Sequence, residues 1–214
     1  MKRPSQFRKS ELSLSLLLAL GLAVPGAAFA TGLPGAGTVT AGNVTSNTST
    51  NTAPHNGGGA GTIITGLNGP TTLTVTGNSV VQWGGPANSA AVKAEATATA
   101  PNAPGFNIGG GQTLTVVGAA ADSSLLNVDA SGNTSVIAGT LIATNHASAT
   151  SNPVKIFIAN ANGVTVAPTG VISAPVIDLI GANLASTTMN ASGVIQPNTA
   201  QTAFATGSSP VDIG

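Results

Sequence analysis

Short segments in which apolar and polar residues alternate follow one another along most of the chain. In residues 72–76, Leu73 and Val75 alternate with three threonines, and residues 113–118 nearly repeat this pattern 41 residues later. Alternation with a period of two is typical of a strand with one buried face. Gly77 and Asn78 then predict the end of the first strand. We expect the following side chains to point into the core: Leu73, Val75, Leu114, Val116, Ile156, Ile158, Val164 and Val166.

A second, weaker repeat lies in the C-terminal half. Residues 139–143, 170–174 and 193–197 each begin with glycine and a β-branched residue, at intervals of 31 and 23 residues. Strands recurring every 20 to 40 residues are typical of a solenoid, in which each coil packs only against its neighbours. A β-sandwich also uses many short strands and stays open as the alternative.

The scarcity of aromatic residues favours the solenoid. Aromatics make up 3% of the chain, and small aliphatic residues suit the narrow core of a β-helix. No segment after residue 31 has the apolar spacing of an amphipathic helix. With about 20–25 residues per coil, the chain would form about seven to nine coils, in a rod about 35–45 Å long. The prediction is an all-β fold of the β-helix type, with residues 33–44 capping its N-terminal end and no evident cap at the other end.

The first 30 residues have the features of a secretory signal peptide. Lys2, Arg3, Arg8 and Lys9 precede an apolar run at residues 12–24, and a small-x-small pattern ends at Ala30. This order predicts cleavage after Ala30 and a mature β domain of residues 31–214, secreted or at the cell surface after passage through the periplasm. The alternative is an N-terminal anchor, which requires a longer apolar run.

The composition of the mature chain excludes several functions. Only 6% of the residues are charged, against about 25% in an average domain. After the leader there are two lysines, no arginine and five carboxylates, which gives a net charge of −3. Nucleic-acid binding is excluded because it requires a basic surface. The chain has no cysteine, so no disulfide stabilises it.

Candidate catalytic and metal-binding residues are few. His55 and His146 lie in separate predicted loops without nearby acids, whereas a metal site needs three or four converging ligands. Asp122 and Asp129 flank one apolar segment and would have to lie about 5 to 10 Å apart to act as an acid–base pair. The chain offers only Lys93 and Lys155 to neutralise an acidic substrate. We therefore predict no enzymatic activity, no cofactor and no metal, with both aspartates in surface positions or turns.

Outward-facing threonines suggest an alternative, ligand-binding function. Ladders of threonine on a solenoid can bind the hydroxyl groups of glycans or the surface of ice, although threonine is also a common residue on the solvated face of any strand. The spacing in this sequence is irregular. The threonines concerned are Thr38/Thr40, Thr72/Thr74/Thr76, Thr97/Thr99 and Thr113/Thr115.

The best-defined motif is Asn160-Ala161-Asn162-Gly163, which follows an apolar strand and precedes a second one. Asparagine and glycine tolerate positive φ, and an asparagine side chain can bond to the backbone two residues later. The motif therefore predicts a tight corner between two strands.

An ordered set of segments from residue 33 to residue 184 resembles a known family. The segments are residues 33–34, 38–42, 80–83, 106–111, 135–143, 156–164 and 170–184. In this order they are similar to the N-terminal secretion domain of two-partner-secreted exoproteins, the filamentous haemagglutinin family. Ala161 stands where the family's Asn-Pro-Asn-Gly turn has proline, and a second Asn-Pro-Asn-Leu element has no counterpart.

The resemblance implies a right-handed parallel β-helix with loop or short-strand extrusions. It also implies export through the Sec pathway and transfer across the outer membrane by a dedicated transporter, which reads the domain as an address. Residues 160–163 would carry the secretion motif. Exoproteins of this family are commonly adhesins, so host or surface glycans and proteins become expected partners. A polysaccharide-active β-helix enzyme is the least favoured alternative.

Overall fold

The computed structural model describes residues 32–47, 57–64, 67, 69–86, 102–103, 105–120, 122–145, 154–181, 188–189, 195–196 and 211–213. The leader, His55, His146, Lys93, Thr97 and Thr99 lie outside these residues. The described part is all-β and has no helix, so it holds no helix of the length and apolarity needed to cross a membrane. Its strands are β1 (Gly37–Asn47), β2 (Gly57–Gly59), β3 (Ile63–Ile64), β4 (Thr71–Trp83), β5 (Gly85–Pro86), β6 (Asn102–Ala103), β7 (Thr113–Gly118), β8 (Ser124–Asp129), β9 (Ser135–Ile137), β10 (Thr140–Asn145), β11 (Lys155–Asn160), β12 (Val164–Val166), β13 (Val171–Ser173), β14 (Ile177–Ile180), β15 (Thr188–Met189), β16 (Ile195–Gln196) and β17 (Val211–Ile213).

Parallel strands form three stacks. The first stack is β4–β7–β10–β13 and the second is β4–β8–β11–β14, since β4 contributes its first half to one and its second half to the other. The third stack is β9–β12–β17. Each step from one strand to the next in a stack is called a level below. The first two stacks together form one curled sheet in the shape of an open half-barrel.

β4 continues through the point at which the sequence predicted its end. Gly77 has a φ of 65°, a conformation that glycine adopts without steric cost. The strand passes through this bend and continues to Trp83. The prediction of a strand end at Gly77 and Asn78 was therefore wrong, because the bend changes the direction of the strand without ending its pairing.

The inward side chains form one aliphatic core. All eight residues predicted to face inward are buried, with exposed fractions between 0 and 7%. They belong to a single cluster that also contains the fully buried rings of Trp83 and Phe106. These rings lie 5.9 Å apart between centroids and are tilted by 54°. The period-two pattern therefore predicted the core residues correctly.

A second apolar cluster lies on the outer side of the second stack. Its members alternate with core residues along β4, β8 and β11, and none is more than 9% exposed. All six residues of β8 are buried, so both of its faces are covered. β15 contacts β4 from outside the stacks. The members of this outer cluster are Val80, Leu126, Val128, Phe157 and Ala159.

Antiparallel strands occur only around these stacks in the described residues. β1 pairs antiparallel with β4 along the edge that faces away from β7 and β8, and its register shifts where β4 bends. β2 and β3 pair with β1. β5 with β6, and β15 with β16, form small two-stranded sheets.

Three expectations about the repeats need correction. Thr72 pairs with Thr115, so the first repeat is out of register with the sequence similarity by two residues; a shift of two keeps every side chain on its face. Thr140 pairs with Val171, as the 31-residue interval predicts, but Ile195 pairs antiparallel with Met189 and belongs to no stack. The described stacks are at most four strands deep, fewer than the seven to nine coils expected, because 27 to 43 residues separate paired positions of the first stack.

Candidate functional site

The Asn160–Gly163 motif lies in the turn between β11 and β12, where the chain passes from the second stack to the third. The backbone N–H of Asn162 donates to Oδ1 of Asn160 at 2.7 Å, and the N–H of Gly163 donates to the Asn160 carbonyl at 3.1 Å. Gly163 has a φ of 93°. The side chain of Asn160 thus closes the turn, in the way that asparagine stabilises tight turns.

Asn160 also ties this turn to the turn one level before it. Its side chain is 1% exposed, and Nδ2 donates to the carbonyl of Asn133 at 2.7 Å and to Oγ of Ser135 at 2.9 Å. A further bond runs from Oγ1 of Thr134 to the carbonyl of Asn162 at 3.0 Å. The turns at residues 130–134 and 160–163 therefore stack as one unit, which we call the polar corner.

Asp129 is the central acceptor of the polar corner. Its Oδ2 accepts hydrogen bonds from the N–H of Phe106 at 2.8 Å and from Oγ of Ser135 at 2.7 Å, while Oδ1 accepts one from the N–H of Ser131 at 2.9 Å. The side chain is only 5% exposed. A Cβ atom at Gly105 would overlap this carboxylate, so the site requires glycine there.

The position of Asp129 corrects the prediction that both aspartates lie in surface positions or turns. Asp122 is exposed, but Asp129 ends β8 inside the fold. The two lie beyond opposite ends of the β8 segment, about 23 Å apart along an extended strand. A glycosidase needs about 5 to 10 Å between its carboxylates. The two aspartates do not form an acid–base pair.

Asn127 continues the buried polar network toward the core. Nε1 of Trp83 donates to Oδ1 of Asn127 at 2.9 Å, and Nδ2 of Asn127 donates to the carbonyl of Phe157 at 3.2 Å. Trp83, Asp129 and Asn160 occupy paired positions on three successive levels. Each buried polar side chain thus has a partner, as a packed interior requires.

The exposed part of the polar corner is neutral. Asn133, Thr134 and Asn162 are exposed, and Ala161 is half-buried. These residues offer hydrogen-bonding groups but no charge. Across the part of the chain that the structure describes, three His, Cys, Asp or Glu side chains nowhere converge as a metal site would require. The corner can therefore present a fixed hydrogen-bonding surface, while its buried carboxylate holds that surface in shape.

Sequence reasoning identified the turn but missed the residues beneath it. Asp129, Asn127 and Leu125 alternate along β8, so the same period that places Leu125 in the core places both polar side chains on the inner face. The expectation that an aspartate lies at the surface obscured this signal. Ser135 and Gly105 gave no signal in the sequence.

Several of the predicted threonines come into register on the outer side of the first stack. Thr72 pairs with Thr115, and Thr113 pairs with Thr140. Thr74 pairs with Thr45 of β1 on one side and with Val117 on the other. The columns are therefore short and interrupted by apolar residues such as Val117 and Ile142.

Comparison with protein-family models, with curated proteins and with solved structures found no match to this chain.

Proposed function

We propose that the chain is an exported, non-enzymatic β-helical exoprotein whose fold acts as an address for an outer-membrane transporter of the two-partner type, with a further role in surface adhesion. The three stacks of parallel strands support a β-helix, because each stack would form one face of it. β1 supports an N-terminal cap, since it pairs along an edge of β4 that β7 and β8 leave open. β5–β6 and β15–β16 fit the short-strand extrusions of such a fold.

The observation that carries the proposal is the polar corner. Asn160 is buried and closes the turn, whereas Asn162 is exposed beside it. One asparagine of the motif therefore shapes the turn and the other is accessible to a partner. A transporter that reads this fold would recognise the neutral hydrogen-bonding groups of residues 132–134 and 161–162.

Secretion of two variants tests this division of roles. The full chain with its leader would be expressed in a Gram-negative host, with and without the transporter encoded beside its gene, and the secreted fraction measured by immunoblot. Asn162→Ala keeps every backbone bond of the turn, so we expect a stable protein that the transporter no longer exports. Asn47→Ala, an exposed asparagine on β1, is the matched control and should be secreted normally.

Two outcomes would contradict the proposal. Secretion that does not depend on the transporter would remove the address function. Normal secretion of Asn162→Ala would show that the exposed asparagine of the corner plays no part in recognition. Circular dichroism of each variant separates a failure of export from a failure to fold.

The paired threonines favour binding of glycans or ice as a second candidate function. Thr72 with Thr115, and Thr113 with Thr140, place hydroxyl groups on adjacent strands of one face, about 4.8 Å apart. If these columns bind hydroxyl-rich surfaces, Thr115→Val should abolish a glycan-array or thermal-hysteresis signal while it preserves stability. The same signal in wild type and variant would reject this candidate.

A further inference from the structure

The last strand of each stack has an unpaired hydrogen-bonding edge in the described part of the chain. β13 pairs only with β10, β14 only with β11, and β17 only with β12. A free edge presents N–H and C=O groups that can pair with an added strand. Extended peptides bind folded domains in this way, with main-chain bonds for affinity and side chains for specificity.

Apolar side chains beside this edge are incompletely covered. Ile172, Ala174, Ile177 and Leu179 pack against the core but are only partly buried. Their counterparts one level earlier are at most 9% exposed: Leu141, Ala143, Ile156 and Ile158. Val171 and Val176, at 52% and 42% exposed, are the exposed large hydrophobic residues of the described chain. A strand added here would bury apolar surface as well as complete backbone bonds.

The charge at this edge is negative. Asp178 is exposed in β14 and lies in register with Phe157 of the preceding level. The only lysine or arginine in the described residues, Lys155, lies one level earlier and is half-buried. Opposite charges on adjacent strands attract and like charges repel. A strand with lysine or arginine beside Asp178 would therefore fit this edge, while a second copy of the chain would bring two acidic edges together.

We propose that the edge formed by β13 and β14, here called the acidic edge, binds an extended segment of a partner protein in which apolar residues alternate with lysine or arginine. The apolar residues cover Ile177 and Leu179, and the cation pairs with Asp178. This interaction surface does not depend on recognition of the polar corner by a transporter, because the two surfaces use different residues.

Titration with two model peptides tests the proposal. A short peptide of alternating valine and lysine, and its valine–glutamate counterpart, would be added to the isotope-labelled chain and followed by NMR. We expect the lysine peptide to shift and protect amides of residues 171–173 and 177–180, and to bind more tightly than the glutamate peptide. Asp178→Asn should weaken the lysine peptide by about two- to fivefold, and Asp178→Lys should reverse the preference. Asp122→Asn is the matched control and should change nothing.

Three results would overturn the proposal. The first is no binding of the lysine peptide, or binding whose shifts lie away from β13 and β14. The second is equal affinity of the lysine peptide for wild type and Asp178→Asn. The third is a dimer in sedimentation velocity that Asp178→Lys disrupts, since the edge would then be occupied by a second copy.

Discussion

Replacing Asp129 by asparagine gives the sharpest test of the buried network. The change keeps the size of the side chain but turns one acceptor oxygen into a donor. In wild type both carboxylate oxygens accept, one from Ser131 and the other from Phe106 and Ser135. Either orientation of the new amide faces its NH₂ group toward a backbone N–H. At least one buried N–H therefore loses its acceptor.

The cost follows from the price of an unpaired buried donor, about 1–3 kcal/mol. Asp129→Asn should therefore lower the free energy of unfolding by about 1–3 kcal/mol. Asp129→Ala removes all three acceptor contacts and should lower it by about 3–5 kcal/mol, as the loss of one member of a buried charged network does. These losses are large against the total stability of about 5–15 kcal/mol that is typical of a folded domain.

Urea unfolding followed by tryptophan fluorescence measures the loss. Trp83 is the only tryptophan of the chain and is fully buried beside the network, so its emission reports the core directly. Asp122→Asn is the matched control: Asp122 is exposed, and asparagine tolerates its φ of 57°. The control should stay within about 0.5 kcal/mol of wild type. If Asp129→Asn also stays within that range, the carboxylate does not hold the corner and the reasoning is refuted.

Three further substitutions test other parts of the packing by the same assay. Gly105→Ala should cost about 1–3 kcal/mol because its Cβ overlaps the Asp129 carboxylate, whereas Gly110→Ala, whose Cβ meets no atom within 4 Å, should be neutral; equal stability of the two variants would contradict the overlap. Phe157→Ala should cost about 3–5 kcal/mol if the outer cluster is a true interior, and a loss below about 1 kcal/mol would mean that its outer side is solvated. Asn160→Ala removes both bonds that its amide donates and the one that its oxygen accepts, so a loss of about 2–4 kcal/mol is expected; an unchanged midpoint would show that the backbone alone closes the turn.

The alternating pattern was sufficient to predict the core. Leu73 and Val75 on β4, and Ile156 and Ile158 on β11, are buried as their spacing predicts, because burial of one face requires a period of two. The turn at residues 160–163 was also found in its predicted place between two strands. Its asparagines and glycine encode the turn locally, so no tertiary information was needed.

Pairing register and burial of polar groups could not be predicted in the same way. Thr72 pairs with Thr115 instead of Thr113 because a shift of two residues leaves the faces unchanged, so the hydrophobic pattern cannot distinguish the two registers. Asp129 is buried because donors from three separate segments converge on it, and only the tertiary fold brings those donors together.

The outer cluster shows the limit of the one-face assumption. Leu125 and Leu126 are adjacent in β8 and both fully buried, one in each apolar cluster. Consecutive apolar residues are typical of strands covered on both faces. The signal was present in the sequence, but the alternation of the neighbouring strands masked it.

Disulfide trapping tests the parallel stacking of strands most directly. The chain has no native cysteine, and Thr72 and Thr115 are paired on adjacent parallel strands with a Cα separation suited to a disulfide, about 4.8 Å. We predict that the double variant Thr72→Cys/Thr115→Cys cross-links on mild oxidation, as seen by mass spectrometry. The double variant Thr74→Cys/Thr115→Cys, on the same face but two residues out of register, should stay reduced. A reduced first pair, or preferential cross-linking of the second, would contradict the stacked parallel register on which this account of the fold depends.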